Sequence, residues 1–293
     1  MDLPLVSFVI PAYNRPQLLA EALASIAGQS LAVNYEVVIC DDGGLEETRA
    51  LAAGFSEGRC CYRRNDPPLG GIGNWNRCLR EARGRWVTVL HEDDALFPWY
   101  LATVAPRLRD GIAAVCTQTV QGALMPNLPA PGGSPAVMDY RPGYFLKSSM
   151  TPFPGVLLRR DLALSLGGFD EHQGPLADYD FWYRLACAGP VEVVRSVAAF
   201  YRVSPGQWTE RTWGRMLRQT HLLRLRIARE QFPARPRLGR WLARFFTYRN
   251  ARSYGKRFPD RPTSLARTLR FSKIPFSWIP SGWAWAGLKA LTK

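Results

Sequence analysis

Short apolar runs alternate with amphipathic ones along the first two hundred residues. Residues 5–10, "LVSFVI", form a β-rich run that stops at Pro11; from about Pro16 to Ala27, Leu18, Leu19, Ala22, Leu23 and Ile26 recur at helical spacing. "YEVVIC" predicts a second buried strand ending in Asp41-Asp42-Gly43-Gly44. "LEETRALAAGF" predicts a helix, and Cys60 to Arg63 a third short strand. "GNWNRCLREAR" reads as a further helix, followed by Gly84 and the strand "WVTVL", which runs into His91, Glu92, Asp93 and Asp94. The strands are continuously apolar rather than alternating, as in a sheet covered on both faces. An α/β doubly wound core is the expected fold.

In such sheets ligands bind outside the carboxyl ends of the strands. Those ends carry "PAYNR", "DDGG" and "HEDD". Clustered carboxylates repel one another and are costly to bury unless something cationic meets them. "HEDD" is therefore either a solvated turn or a site for a hard divalent cation, whose shell substrate phosphates would complete. "DDGG" is either an ordinary turn or a set of short acceptors for a ribose hydroxyl or a base N–H. No GxxxxGK[ST] loop is present, and "LGGIGNW" has the wrong spacing for a dinucleotide-binding glycine motif.

Further along, residues 122–142 are rich in Pro, Gly and Ala and read as an irregular connection. A strand is expected at Gly155 to Leu158 and a helix from near Asp161, with Arg159 and Arg160 solvated. "DYDFWYRLACAG" has helical spacing, and "VEVVRSVAAFYRV" is strand-like. The six cysteines, Cys40, Cys60, Cys61, Cys78, Cys116 and Cys187, show neither CxxC pairing nor zinc-ligand spacing, so reduced thiols are expected. Asp2 and Pro4 interrupt the start, which lacks the pattern of a secretion signal.

Charge divides the chain unevenly. Between Arg211 and Lys293, 20 lysines and arginines face two acids, Glu230 and Asp260, a net of +18; the rest carries −4 of the overall +14. A mildly acidic body followed by a basic tail points to an anionic partner for the tail, a membrane surface or nucleic acid.

"VSFVIPAYNRPQLLAEALASIAGQS", "YEVVICDDGG", "GNWNRCLREARGRWVTVLHEDDAL" and "GGFDEHQGPLADYDFWYRLACAG" occur in the order seen in family 2 glycosyltransferases, which the chain resembles over roughly residues 5–205. The resemblance implies the GT-A fold, a Rossmann-like nucleotide-sugar-binding sheet, and an inverting transferase. It implies that Pro11, Ala12, Tyr13 and Asn14 line the nucleotide, with Tyr13 stacking on the base, and that Asp42 hydrogen-bonds the base. Asp93 falls on the metal-coordinating acid of the family's Asp-x-Asp motif, with Asp94 beside it; Glu92 would serve the ribose, or the metal through water. The implied cofactor is Mn²⁺ or Mg²⁺. Asp178 aligns with the catalytic base, the alternatives being Asp180 or a helix N-cap role. The chain departs from the pattern at His91, where the family prefers an acid, at Ala177, usually Glu before the base, and at Ser204, near a frequent His.

The domains expected are a catalytic one over residues 1–209 and a basic, aromatic-rich helical region over 210–293. Trp213, Trp241, Phe245, Phe246, Tyr248, Phe271, Phe276, Trp278, Trp283 and Trp285 lie among the tail's bases, a pattern suited to a lipid interface, though the same helices could pack on the core. "IPFSWIPSGWAWAGLKAL" is too broken by Pro and Gly to span a membrane. The expected activity is transfer from a UDP-sugar to a lipid-linked glycan in bacterial polysaccharide or lipopolysaccharide synthesis, at the inner face of the cytoplasmic membrane. The alternatives are a nucleic-acid-binding protein acting through its tail, although no nucleic-acid module is recognisable, and a catalytically inactive relative.

Overall fold

Each apolar run becomes a strand and each amphipathic run a helix, in the order β1 (Val6–Ala12), α1 (Pro16–Ala27), β2 (Tyr35–Asp41), α2 (Glu46–Gly54), β3 (Cys60–Arg64), α3 (Gly70–Glu81) and β4 (Trp86–Val89). The computed structural model describes residues 3–55, 58–149, 151–204 and 208–257. The chain continues through β5 (Ala95–Leu96), α4 (Tyr100–Val104), β6 (Ala114–Gly122), β7 (Val137–Asp139), β8 (Val156–Arg159), α5 (Arg160–Ser165), α6 (Ala177–Ala188) and β9 (Val191–Arg202). Two long helices follow, α7 (Trp208–Gln231) and α8 (Pro236–Arg257).

The strands form one mixed sheet in the order β3-β2-β1-β4-β8-β6-β9-β5, with β7 beside β9. The first four are parallel, with Val9 opposite both Val38 and Val89. The doubly wound expectation describes this half only. β8 runs antiparallel to β4 and β6, and β5 and β7 run antiparallel to β9. β2 and β3 lie on one side of β1 and β4 on the other, so the chain reverses its winding beside β1. That is where open α/β sheets leave a crevice at their strand ends.

The core explains the continuous apolar strands. Phe8, Ile10, Val37 and Ile39 are fully buried, and Leu19, Ala22, Leu23 and Ile26 of α1 cover them from one face. Each large side chain so buried contributes about 1.5–3 kcal/mol relative to exposure. At the strands' amino ends, buried Glu36 accepts from Ser7 Oγ at 2.6 Å, from the Arg83 amide and guanidinium at 2.6 and 2.9 Å, and from the Gly84 amide at 3.2 Å. Burial alone would raise its pKa, but the bonds from Ser7 and Arg83 outweigh it and hold the pKa below the usual value.

Contacts among the described residues divide the chain into two units. The sheet and its helices form the first. The second joins residues 141–149 to α7 and α8. Leu217, Leu223, Ile227, Leu242, Ala243 and Phe246 supply its interior. Arg224 is fully buried there and donates to the Lys147 carbonyl at 2.9 Å and to Thr247 Oγ1 at 3.4 Å. The tail aromatics from Phe271 onward, and the Pro/Gly-broken segment containing them, lie outside the described residues.

Candidate active site

"HEDD" does form a turn, closed by the Asp94 amide on the His91 carbonyl at 3.0 Å. It is not a solvated turn. Glu92, Asp93 and Asp94 are 1%, 9% and 1% exposed. Because β1 and β4 are parallel neighbours, the turn lies against the end of β1. There Glu92 accepts from the Tyr13 amide at 2.8 Å and from Arg15 Nε at 2.6 Å, while Arg15 Nη1 donates to Asp93 at 2.7 Å. Burial raises the pKa of Glu92 against the opposing pull of Arg15 and the Tyr13 amide.

Asp94 is tied across the sheet. Its Oδ1 accepts from the Arg202 amide at 3.0 Å, and the Arg202 guanidinium donates to the Asp93 carbonyl at 2.9 Å and to the Ala123 carbonyl at 3.1 Å. The end of β9 thus clamps the turn from the side opposite β1. Asp94 Oδ2 is buried and has no hydrogen-bond partner among the described residues; the same holds for His91 Nε2. Burial raises the Asp94 pKa well above its ordinary value.

His91 is wedged between rings, stacked on Trp75 with centroids 5.4 Å apart and tilted against Phe153 at 4.5 Å. Burial drives its pKa down to about 4, so the imidazole is neutral at ordinary pH. Donor atoms of His91, Asp93 and Asp94 lie within 4.8 Å of one another. A neutral imidazole and two carboxylates form a donor set that Mn²⁺ accepts readily. The orphaned atoms of His91 and Asp94 are what a missing cation would leave, so these residues fit a divalent ion. The position read from sequence as a lost acid therefore brings a nitrogen donor to the cluster.

At the end of β2 the two acids divide. Asp41 is spent on the loop, accepting from the Gly43 and Gly44 amides at 2.8 and 3.1 Å and from the Tyr62 hydroxyl at 2.8 Å. Asp42 accepts through Oδ1 from Asn65 Nδ2 at 2.5 Å and from the Leu69 amide at 3.0 Å. Asn65 in turn donates to Asn74 at 2.9 Å, and its own carbonyl oxygen is buried without a partner among the described residues. Gly43 is required here: a Cβ would fall 2.0 Å from Asn14 Oδ1. Asn14 itself has φ 57°, a left-handed conformation that Asn tolerates. In the same loop Pro11 is half-buried, Ala12 buried and Tyr13 61% exposed, leaving the Tyr13 ring open to a ligand.

Asp178 lies in the first turn of α6, whose first residue is Ala177, so it is inside the helix rather than its N-cap. Among the described residues its carboxylate accepts from the Tyr179 amide at 2.7 Å and from its own amide, and no ion pair reaches it. Burial lifts its pKa to about 6. Asp180 is committed elsewhere, to Arg184 Nε at 2.7 Å, while Arg184 also holds the Leu166 and Gly168 carbonyls. One turn beyond Asp178, Trp182 meets Phe153 edge-on at 5.4 Å, and Phe153 touches His91, so an aromatic chain links α6 to the acid turn.

Arg15, Asn65 and Arg202 were not singled out from sequence. Arg15 lies 77 residues before Glu92, and only the pairing of β1 with β4 brings it to the acids. Nothing local marks Asn65 or Arg202.

An α/β sheet with acid-bearing loops converging beside its switch point is the frame of a nucleotide-binding domain. The family model "Glycosyl transferase family 2" matches residues 7–158. An Escherichia coli relative, "UDP-Glc:alpha-D-GlcNAc-diphosphoundecaprenol beta-1,3-glucosyltransferase WfgD", is 34% identical over 94 residues, 32% of this chain and 37% of that protein. Among solved structures, Staphylococcus aureus TarS 1–349 in complex with UDP-GlcNAc has a TM-score of 0.64 at 16% identity, over 85% of this chain and 74% of that one. The mannosyltransferase PcManGT from Pyrobaculum calidifontis, in complex with GDP-Man and Mn²⁺, has a TM-score of 0.56 at 17% identity, over 100% and 86%. The chain belongs to glycosyl transferase family 2, and its fold is that of the GT-A glycosyltransferases. It spans less than two thirds of the length of the curated relatives it first matches, between 37% and 62%.

Proposed function

We propose that this protein is an inverting glycosyltransferase that moves a sugar from a UDP-sugar to a hydroxyl of a lipid-linked glycan, in the assembly of a bacterial surface polysaccharide. Membership of the family supports the reaction class, and the relative named for a diphosphoundecaprenol-linked acceptor supports the acceptor class. The open Tyr13 ring would stack on the base, Asp42 would receive the single N–H of the uracil, and Glu92 would face the ribose. His91, Asp93 and Asp94 would hold Mn²⁺ or Mg²⁺, which supplies Lewis-acid neutralisation of the diphosphate.

Asp178 acts as the base. Its carboxylate takes the proton from the acceptor hydroxyl as that oxygen bonds to the anomeric carbon. The bond from that carbon to the diphosphate oxygen breaks with its electron pair, and configuration inverts. The observation that carries this reading is the contrast between two neighbouring acids: Asp180 is neutralised by Arg184, whereas no cation among the described residues pairs with Asp178, whose pKa is about 6. A base poised near working pH is the efficient one.

The test is Asp178→Asn, assayed with a panel of nucleotide sugars in Mn²⁺ and in chelator. Transfer should fall by about 10²–10⁴ with nucleotide binding retained. Unchanged turnover in the variant removes Asp178 from the mechanism, and absence of turnover with every donor points to an inactive relative.

A further inference from the structure

Arg15 occupies a position that the reaction needs for another cation. Its guanidinium spans Glu92 and Asp93 with bonds of 2.6 and 2.7 Å. Asp93 is also a member of the three-residue donor cluster. Two adjacent buried carboxylates cannot stay ionised without a positive charge beside them, and Arg15 supplies it. A divalent cation bound through Asp93 would place two positive centres against one carboxylate. Both cannot share it at full strength.

The geometry lets Arg15 yield. Its side chain is 44% exposed, whereas those of Glu92 and Asp93 are 2% and 11% exposed. Arg15 is the N-cap residue of α1, its carbonyl accepting the Leu19 amide at 3.0 Å while its side chain makes no capping bond, so the side chain can move without breaking the helix. Glu92 keeps its bond from the Tyr13 amide when the guanidinium leaves, and Asp94 keeps its bond from the Arg202 amide. The acid turn is therefore held from both sides without Arg15. A guanidinium released beside the cation site meets the group its planar fork fits best, a phosphate.

We infer that Arg15 is a displaceable counter-ion: it neutralises Glu92 and Asp93 in the empty site, gives up Asp93 when a divalent cation binds, and turns to the diphosphate of the donor. This rests on the proposed donor and metal site. It adds that cation and nucleotide binding are coupled through one side chain. The cation alone has to displace Arg15 into solvent, whereas with the nucleotide present the displaced charge finds a new partner, so each ligand tightens the other by the same factor.

The test is a titration of the full chain with Mn²⁺, followed by electron paramagnetic resonance, with and without UDP. The wild type should bind Mn²⁺ weakly alone and more tightly with UDP. Arg15→Gln should bind Mn²⁺ alone roughly tenfold more tightly, about one decade for each 1.36 kcal/mol of repulsion removed, and should lose most of the coupling to UDP. Arg15→Lys keeps the charge but not the fork and should fall between the two. If Arg15→Gln does not fold, tighter Mn²⁺ binding by Arg15→Lys than by wild type supports the inference, and equal or weaker binding overturns it. Unchanged or weaker Mn²⁺ binding by a folded Arg15→Gln means that Arg15 only positions the acids, which overturns it as well. If Mn²⁺ binds neither protein while UDP still raises the melting temperature, this inference and the metal site fail and the nucleotide site stands. If UDP does not bind either, the proposed function falls with them.

Discussion

Asp178 and Asp180 stand two residues apart on α6, and their surroundings give them opposite properties. The raised pKa of Asp178 has two measurable consequences. In the proposed role of base, Asp178 would be protonated below about pH 6. The rate of transfer should therefore decline on the acid side through about pH 6, and a pH–rate profile reads this directly. The folded protein also prefers this carboxyl protonated, so its contribution to stability is complete below the unfolded value of about 3.9 and is lost as pH rises through about 6. Asp178→Asn should raise the melting temperature at pH 8 and leave it nearly unchanged at pH 4. At this scale Asp42 and Glu92 to Asp94 were legible in the sequence because they follow strands directly, and Asp178 through the family resemblance. Their partners were not: Arg15 and Glu92 are 77 residues apart, and only the pairing of β1 with β4 brings them together.

The elements meet the site through close backbone approaches. Gly84, just before β4, packs so tightly on β1 that a Cβ would fall 2.6 Å from Ser7 Oγ, 2.7 Å from the Ser7 amide nitrogen and 2.9 Å from the Val6 carbonyl carbon. Two of these atoms are backbone and cannot give way independently of the strand. Gly84→Ala should therefore cost about 1–3 kcal/mol of stability, read by urea denaturation; the amide stays, but any backbone shift that relieves the clash stretches its bonds to Ser7 and Glu36. β1, β2 and β4 were legible because parallel strands buried on both faces read as unbroken apolar runs, whereas β3, at the sheet's edge, is only partly buried. β8 and β9 were legible as strands too, but their directions in the sheet were not, nor were β5, β6 and β7. Whether β8 enters parallel or antiparallel depends on the path of residues 122–155, which carry no periodic pattern.

For the whole molecule the charge asymmetry is the dominant fact. The described part of the basic region is a pair of long helices, and none of the described helices is long and apolar enough to cross a membrane. The proposal that this region holds the enzyme on an anionic leaflet predicts that the full chain floats with phosphatidylglycerol vesicles and not with neutral ones. Each engaged base near the surface is worth about 1 kcal/mol, so raising salt should release it. Retention by oligonucleotides rather than by vesicles would favour the nucleic-acid reading of the tail.

The sequence by itself determined the strand-helix alternation, the polar clusters at three strand exits, two of them acidic, and the imbalance of charge, because each is written in contiguous residues as a period or a run. Only the tertiary structure decided which acids are spent on holding loops and which are left for ligands. It gave Asp41 to its turn and Asp180 to Arg184, left Asp178 without an ion pair among the described residues, and set Arg15 on Asp93. Those assignments depend on side chains that meet across neighbouring strands and helices, and burial, which sets their charge, exists only once those elements have packed.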